Sequence, residues 1–456
     1  MGDRRVLVVG GGIAGLSAAV SLLDEPDLAV ELWEAGDQVG GKIATSPFAG
    51  SDHIDEGADA YLTRVPAAVA FAARLGVTDL TSPTAATAAV WHDGLHPIPG
   101  GVVLGMPAAI RPFVTTSLLS RRGKARAALE PLLPRRDHGD SLGALMRQRF
   151  GHEVHERLVD ALVGSIYATD TDRSSLTAVP QLAALAARHR SLLLGGRTAR
   201  AATPSNGGPI FATPRAGMAA LATAAADDIV RRGGVLHTGR TASTLSAHGD
   251  GWSVDDERFD AVVIASPATG AARLLGAAAP RAAELLSGIE FADVIMVRLS
   301  IPDREWPERL HGRSGYLVPK PDQHVVTAAS FGSQKWEHWR PVGRQILRAS
   351  LGRDGLPVRH LDDEAVIRHT VDDVGRHLEL DLRPDQISIT RWHDAFPQYR
   401  PHHHERVAAI EAALPVGVAI AGASYRGIGV PACIADGARA ARLVKESTGS
   451  ADGFLP

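Results

Sequence analysis

Gly10-Gly11-Gly12-Ile13-Ala14-Gly15 has the Gly-x-Gly-x-x-Gly spacing that lets a main chain turn tightly around a pyrophosphate. The first glycine permits the turn, the second lets the backbone approach the phosphates, and the third lets a helix pack on the preceding strand. Free N–H groups and the helix dipole at that point favour an anion. Glu34 follows at the distance where a carboxylate accepts the hydroxyls of a ribose. Val39-Gly40-Gly41-Lys42 adds backbone amides and a second cation, a pattern found with FAD more than with NAD alone. Together these residues predict an FAD site opening between Val6 and Lys42. The plainer alternative is a glycine-rich turn beside a solvated lysine.

Two further stretches point to the same chemistry. Asp55-Glu56-Gly57-Ala58-Asp59-Ala60-Tyr61 has a spacing suited to a loop beside the flavin ring. Near the other end, Ala421 to Pro431 carries a buried strand into glycines and then into a helix. A helix N-terminus there can stabilise negative charge on a reduced flavin. The predicted site therefore joins both ends of the chain.

Other reactive side chains are sparse. The single cysteine, Cys433, excludes an intramolecular disulfide and a cysteine-based metal site, and it fits a reducing, cytoplasmic setting. It is expected to pack at the start of the last helix. His402-His403-His404 reads as a solvated loop, because three adjacent side chains do not converge easily on one ion, so no metal is expected. His92 and His96 read as structural. No side chain is required as a catalytic acid or base.

The elements that must position these residues follow from periodicity. Val6–Val9 and Val30–Trp33 are apolar enough for strands buried on both faces, with a helix from Ile13 to Leu23 between them, which makes a βαβ unit. A helix is expected over 65–75. Residues 107–185 read as mostly helical, with Asp140-Ser141 as a cap before Leu142–Phe150. Ser191–Gly208 reads as a loop or linker. A helix from Gly217-Met218 to about Arg232 precedes short strands at 235–238, 242–245 and 252–254, then a buried strand at Ala261–Ala265. Strands are also expected at 294–299, 315–319, 325–330 and 418–421, with a last helix over 432–445.

At 456 residues the chain is long enough for two or three domains. Its net charge of −3 and 22% charged residues give no global sign of a nucleic-acid partner. The N-terminus lacks a signal-peptide pattern, and no apolar run suits a membrane span. The Arg121, Arg122, Lys124 and Arg126 cluster reads as a solvated helix face, with contact to acidic lipids as the lesser alternative.

The sequence resembles the protoporphyrinogen/coproporphyrinogen oxidase family within the amine-oxidase-like flavoproteins. The resemblance is carried by Val8 to Leu16, Gly57 to Ala60, His96 to Pro99, Gly164 to Ala168, Ser314 to Val318, Arg391-Trp392 with Pro397 to Tyr399, and Gly427 to Cys433. The combination is similar to the actinobacterial branch associated with coproporphyrin-forming haem synthesis. It implies an α/β plus α+β fold with three parts. A discontinuous Rossmann-like FAD-binding domain would cover 1–66, 205–270 and 415–456. A sheet-based substrate domain would cover 67–100, 185–204 and 271–414, and a helical insertion domain 101–184.

The resemblance also implies roles. Gly10, Gly11, Gly12, Ile13, Ala14, Gly15, Glu34, Ala35, Gly41, Lys42, Gly57, Ala58, Asp59 and Ala60 would contact FAD. Ala242 would meet the adenine, and Trp392, Ile428, Gly429 and Val430 would lie near the flavin ring. Tyr316, Leu317 and Trp336 would wall the substrate cavity. Relatives often place an arginine just before the strand at Ala88–Trp91, where this chain has Thr87. Arg64 or Lys335 could supply the missing cation for a substrate carboxylate. The implied reaction is oxidation of coproporphyrinogen III to coproporphyrin III, with molecular oxygen as acceptor and hydrogen peroxide as product. It removes six electrons, hence three flavin cycles. Protoporphyrinogen IX is the alternative substrate; an amine oxidase, a carotenoid desaturase or a binding module without working flavin are more distant readings. Peripheral membrane contact and hand-over to a ferrochelatase or another haem-pathway enzyme are further implications.

Overall fold

The computed structural model describes residues 4–202 and 208–449. The predicted βαβ unit nucleates a five-stranded parallel sheet ordered Val235–His237, Leu28–Trp33, Arg4–Val9, Ala261–Ile264 and Val418–Ile420. Its central strands are apolar on both faces because both faces are covered. Helices Ile13–Leu22, Ala219–Arg231 and Val430–Gly449 bury one face. The first and last of these approach so closely that a Cβ on Gly437 would lie 2.0 Å from the Ala14 carbonyl oxygen.

The other face packs on a three-stranded antiparallel sheet over 245–259 and on helices Ala268–Leu275, Pro280–Ser287 and His403–Ala412. Leu274, Leu286, Val407 and Ile410 thus share a core with Leu7 and Trp33. Residues 268–289 and 403–414 therefore belong with the nucleotide-type sheet, although the sequence reading put 271–414 in the substrate domain. The reason is amphipathicity: these short helices have one apolar side, and the uncovered face of the parallel sheet buries it.

A seven-stranded sheet follows the order Gln386–Pro397, Phe291–Pro302, Arg344–Leu351, Val326–Phe331, Arg313–Leu317, Thr87–Trp91 and Leu95–Pro97. Helix Asp363–Leu378, capped by Asp362 accepting from the Ala365 N–H at 2.8 Å, covers one of its faces. That helix and the Arg344–Leu351 and Gln386–Pro397 strands lie outside the sequence reading.

The helical part spans the region from Ile110 onward and includes a wide-wound π-helical stretch, His155–Gly164. Its join to the sheet is a buried ion pair, Arg353 to Asp160, with two contacts of 2.9 Å and both side chains 2% exposed or less. Residues 192–202, expected as linker, form a helix. Its start is held by Glu130, which accepts from the Leu192 N–H at 2.9 Å and the Leu193 N–H at 3.2 Å. Gly195 and Gly196 suggested a loop, but they serve close packing: a Cβ would lie 2.6 Å from His189 and 2.8 Å from Met106, respectively. Residues 203–207 of that stretch lie outside the described residues. The expected strand at 242–245 begins only at Leu245, because Asp255 takes the Ser243 and Thr244 N–H groups that a ladder would use. Among the described residues no helix is long and apolar enough to cross a membrane.

Candidate active site

The glycine turn is built as its spacing demands. Gly10 has φ +106°, and a Cβ there would meet the Ala265 carbonyl carbon and oxygen at 3.0 Å. A Cβ on Gly15 would sit 1.9 Å from the Gly10 oxygen, so helix and turn touch with nothing between them. Gly12 differs: its φ is −66°, and a Cβ there would meet nothing within 4 Å. The middle glycine thus faces open space at a helix N-terminus, where a phosphate would be received. Ile13 and Ala14 are buried in the helix core.

Glu34 braces this turn. Its carboxylate accepts from the Gly11 N–H at 2.6 Å and the Gly36 N–H at 2.7 Å. Gly40 donates to the Gly11 carbonyl at 2.8 Å, which lays the Gly40-Gly41-Lys42 segment over the turn. Ala35 is exposed beside them. Arg240 stacks its guanidinium 3.4 Å from the Trp33 ring centre, and its backbone N–H donates to the Glu34 carbonyl at 2.8 Å. Ala242 packs partly buried against the core that holds Trp33.

Lys42 is a half-buried cation that makes no ion pair among the described residues. Burial lowers its pKa, while Asp394 pulls the other way. Its carbonyl lies against Gly57, where a Cβ would come within 2.1 Å. Trp392 abuts Gly57 and donates its indole N–H to the Glu56 carbonyl at 3.1 Å. Lys42, Gly57 and Trp392 are therefore brought together, with Cys433 of the last helix close to the lysine.

The Gly57–Ala60 loop is pinned from beneath. Asp59 accepts from Lys335 at 2.7 Å, from the Trp336 indole at 3.2 Å, and pairs with Arg348 at 3.2 Å. Burial alone would raise the Asp59 carboxyl, but Lys335 and Arg348 outweigh it and hold it well below the usual carboxylate range. Arg348 also donates to the Gly57 carbonyl at 2.8 Å. Asp59 thus holds the loop. Asp55, by contrast, is pushed up to about 6 by burial, partly offset by Thr45 and the Met218 N–H.

The C-terminal glycines meet this assembly from the other side. Val430 is buried in the core that holds Ile13 and Ile43, Ile428 packs on the helical cluster, and Gly429 is exposed. Burial pushes the Cys433 thiol up to about 12, so it stays protonated and packs, as expected. The residues fit an FAD: an open side at Gly12, amides at the helix N-terminus, and in Lys42 a cation with no ion pair among the described residues. Gly10 to Gly15 and Lys42 would hold its pyrophosphate, with Trp392 and Ile428 near its ring.

Beside Trp392 one patch of a sheet face is only partly covered, although the same face is buried under the Thr45–Asp55 hairpin at Arg298, Ile346 and Arg348. Leu317, Ala328, Ser350, Met296 and Thr390 neighbour one another across the strands and are all partly exposed. Their alternating partners Tyr316, Ala329, Ala349 and Val297 are at most 3% exposed on the opposite face. In a packed sheet such a contrast marks a cleft. Leu162 and Tyr167 of the helical part flank it through the cluster that includes Leu317 and Ile428.

This placement corrects several expectations. Tyr316 points into the core, where its hydroxyl meets His377 Nδ1 at 3.1 Å, because strand residues alternate faces and Leu317 takes the cleft side. Trp336 is fully buried with Phe48 and Trp339 and braces Asp59 instead of walling a cavity. Lys335 has its charge matched by Asp59. Arg64 is exposed just beyond the loop. His403 is buried at the start of a helix, not in a solvated loop, because its ring stacks on Tyr399. The cleft residues Met296, Ala328, Ser350 and Thr390 were missed; their signal is alternation opposite an apolar row, which needs strand pairing to be read.

The sequence profile of flavin containing amine oxidoreductases matches residues 13–445. The coproporphyrinogen III oxidase of Bacillus subtilis is 32% identical, with 96% of this chain and 97% of that protein aligned. The coproporphyrinogen III oxidase of Mycobacterium tuberculosis is also 32% identical, over 98% of each chain. The protoporphyrinogen oxidase of Bos taurus is 26% identical, over 97% of this chain and 98% of that one. Among solved structures, a protein from Exiguobacterium named after protoporphyrinogen oxidase superposes with a TM-score of 0.86 at 27% identity, covering 98% of this chain and 100% of that one.

Proposed function

Because this chain belongs to the family of flavin-containing amine oxidoreductases and is an FAD-dependent oxidoreductase, we propose that it oxidises coproporphyrinogen III to coproporphyrin III in haem biosynthesis. The observation that carries this reading is the near full-length match to coproporphyrinogen III oxidases at 32% identity. The partly covered sheet patch beside Trp392 is the place we assign to the substrate.

FAD, when bound, takes up two electrons per cycle and passes them to oxygen, so a six-electron oxidation takes three cycles and yields hydrogen peroxide. The chain's own residues bind and orient. Leu317, Met296 and Ala328 offer an apolar floor to the puckered tetrapyrrole body, while Ser350 supplies a hydroxyl and Thr390, which donates to Glu56 at 3.2 Å, an accepting oxygen. The helical part, through Leu162 and Tyr167, closes the cleft against water. Positioning does most of this work, so no side chain is assigned as a general base. Of the cations expected for carboxylates, Lys335 can serve only by sharing itself with Asp59, which leaves Arg64 as the candidate at the rim.

Protoporphyrinogen IX is the second reading, favoured by the match to the bovine protoporphyrinogen oxidase. Comparing kcat/KM for the two porphyrinogens by porphyrin fluorescence decides between them. Preference for coproporphyrinogen III supports the first; preference for protoporphyrinogen IX overturns it. The same reading places the protein in the cytoplasm, with its product passing to a metal-inserting enzyme such as a ferrochelatase. For any peripheral membrane contact we assign the cationic helix Arg121–Ala128 with exposed Leu129 and Leu132 beside it.

A further inference from the structure

We infer that Tyr399 and His403 are positioning residues that set the flavin side of the C-terminal loop, Gly422 to Gly429. This rests on the flavin site proposed above. The loop holds three glycines, Gly422, Gly427 and Gly429, and such backbone loses much entropy when fixed. Its edges are anchored by its own Ser424, which accepts from the Ala268 N–H at 3.2 Å, by Arg426, which pairs with Glu411 and Asp436, and by the Gly422 N–H, which donates to Asp436 at 2.9 Å, while the backbone of residues 423–427 is held by side chains from outside.

Those contacts converge on one stacked pair. The Tyr399 and His403 rings lie 3.9 Å apart with planes 10° from parallel. The Tyr399 hydroxyl donates to the Ala423 carbonyl at 2.6 Å and accepts from the Gly427 N–H at 2.7 Å. His403 Nε2 lies 3.2 Å from the Tyr425 carbonyl. Burial pushes the imidazole down to about 4, so it is neutral at ordinary pH and donates through Nε2. Three backbone groups of residues 423–427 are thus held by two side chains, immediately before Ile428 and the helix from Val430.

The Tyr399 carbonyl also accepts from the Ser175 N–H at 2.7 Å, and Gln398 Nε2 donates to the Ala168 carbonyl at 3.3 Å. The pair therefore stands where the helical part, the sheet and the C-terminal loop meet. Its task is to keep the loop's amides and the helix N-terminus aimed at one point, where negative charge on a flavin would be stabilised.

The test uses the FAD-loaded wild type, Tyr399→Phe, His403→Phe and Tyr425→Phe. Both variants of the pair keep the stack and lose the hydrogen bonds. Tyr425→Phe removes a buried hydroxyl that has no hydrogen-bond partner among the described residues, so it is the control. Readouts are the FAD dissociation constant, the visible spectrum and the midpoint potential of the bound flavin. Tyr399→Phe is expected to weaken FAD binding about tenfold, shift the flavin bands and make the potential more negative. His403→Phe should act in the same direction and more weakly, and Tyr425→Phe should match wild type. If Tyr399→Phe keeps the wild-type affinity, spectrum and potential, the inference is overturned even where stability falls. A wild type that cannot be loaded with FAD would overturn the flavin site itself, and this inference with it.

Discussion

Replacing Asp55 with Asn should change how stability depends on pH, with a magnitude that follows from its surroundings. Asp55 is fully buried at the end of the Thr45–Asp55 hairpin. One carboxylate oxygen accepts from Thr45 at 2.6 Å and the Met218 N–H at 2.8 Å, and the other has no partner. Burial raises its pKa from 3.8 to about 6. A raised carboxyl pKa means that the folded protein holds a proton the unfolded chain has lost between those two values. Stability from this group is therefore present at low pH and is lost as pH rises from about 4 to 6. At about 1.4 kcal/mol per pH unit the ionised form costs about 3 kcal/mol above pH 6. For a chain of this length that is about 3 °C in Tm. Asn keeps the accepting oxygen and cannot ionise, so its Tm relative to wild type should rise by about 3 °C between pH 4 and pH 7. Unfolding followed by circular dichroism at a series of pH values reads this difference. A constant offset carries no information, because the new amide group has its own cost. A flat difference across the series would refute the burial argument for Asp55.

Further outcomes follow from the same geometry. Gly12→Ala should fold with an unchanged apo-protein Tm and bind FAD at least tenfold more weakly, because its Cβ meets no protein atom and enters the phosphate space. Gly15→Ala should fail to fold or lose several degrees, since its Cβ would collide with the Gly10 oxygen. Lys42→Met should weaken FAD binding about tenfold, measured by titration of apo-protein, with little loss of stability because the lysine makes no ion pair among the described residues. Arg353→Met leaves buried Asp160 uncompensated and should cost about 3 to 5 kcal/mol in chemical denaturation.

Much of the turn geometry from Gly10 to Lys42 was legible because it is local. Gly10, Gly12, Gly15 and Glu34 act through turns and caps whose geometry is set within one βαβ unit. Gly427 to Val430 was readable for the same reason, as a strand running into a helix. The substrate side depends on contacts distant in sequence. Tyr316 and Leu317 are adjacent, and only the pairing of the seven-stranded sheet shows which of them faces the cleft. Lys335 looked free until Asp59, remote in the chain, was seen to hold it. His403 looked solvated because its partner, Tyr399, lies across a turn that the pattern does not reveal. The helix over 192–202 was hidden by glycines placed for packing, which pattern alone cannot separate from glycines placed for turning.

The most direct test of the central claim is oxygen uptake and porphyrin formation by the FAD-loaded protein supplied with coproporphyrinogen III. The account predicts coproporphyrin III formed faster than by autoxidation, with three molecules of oxygen consumed per porphyrin. No porphyrin above the protein-free rate, with FAD bound, would contradict it.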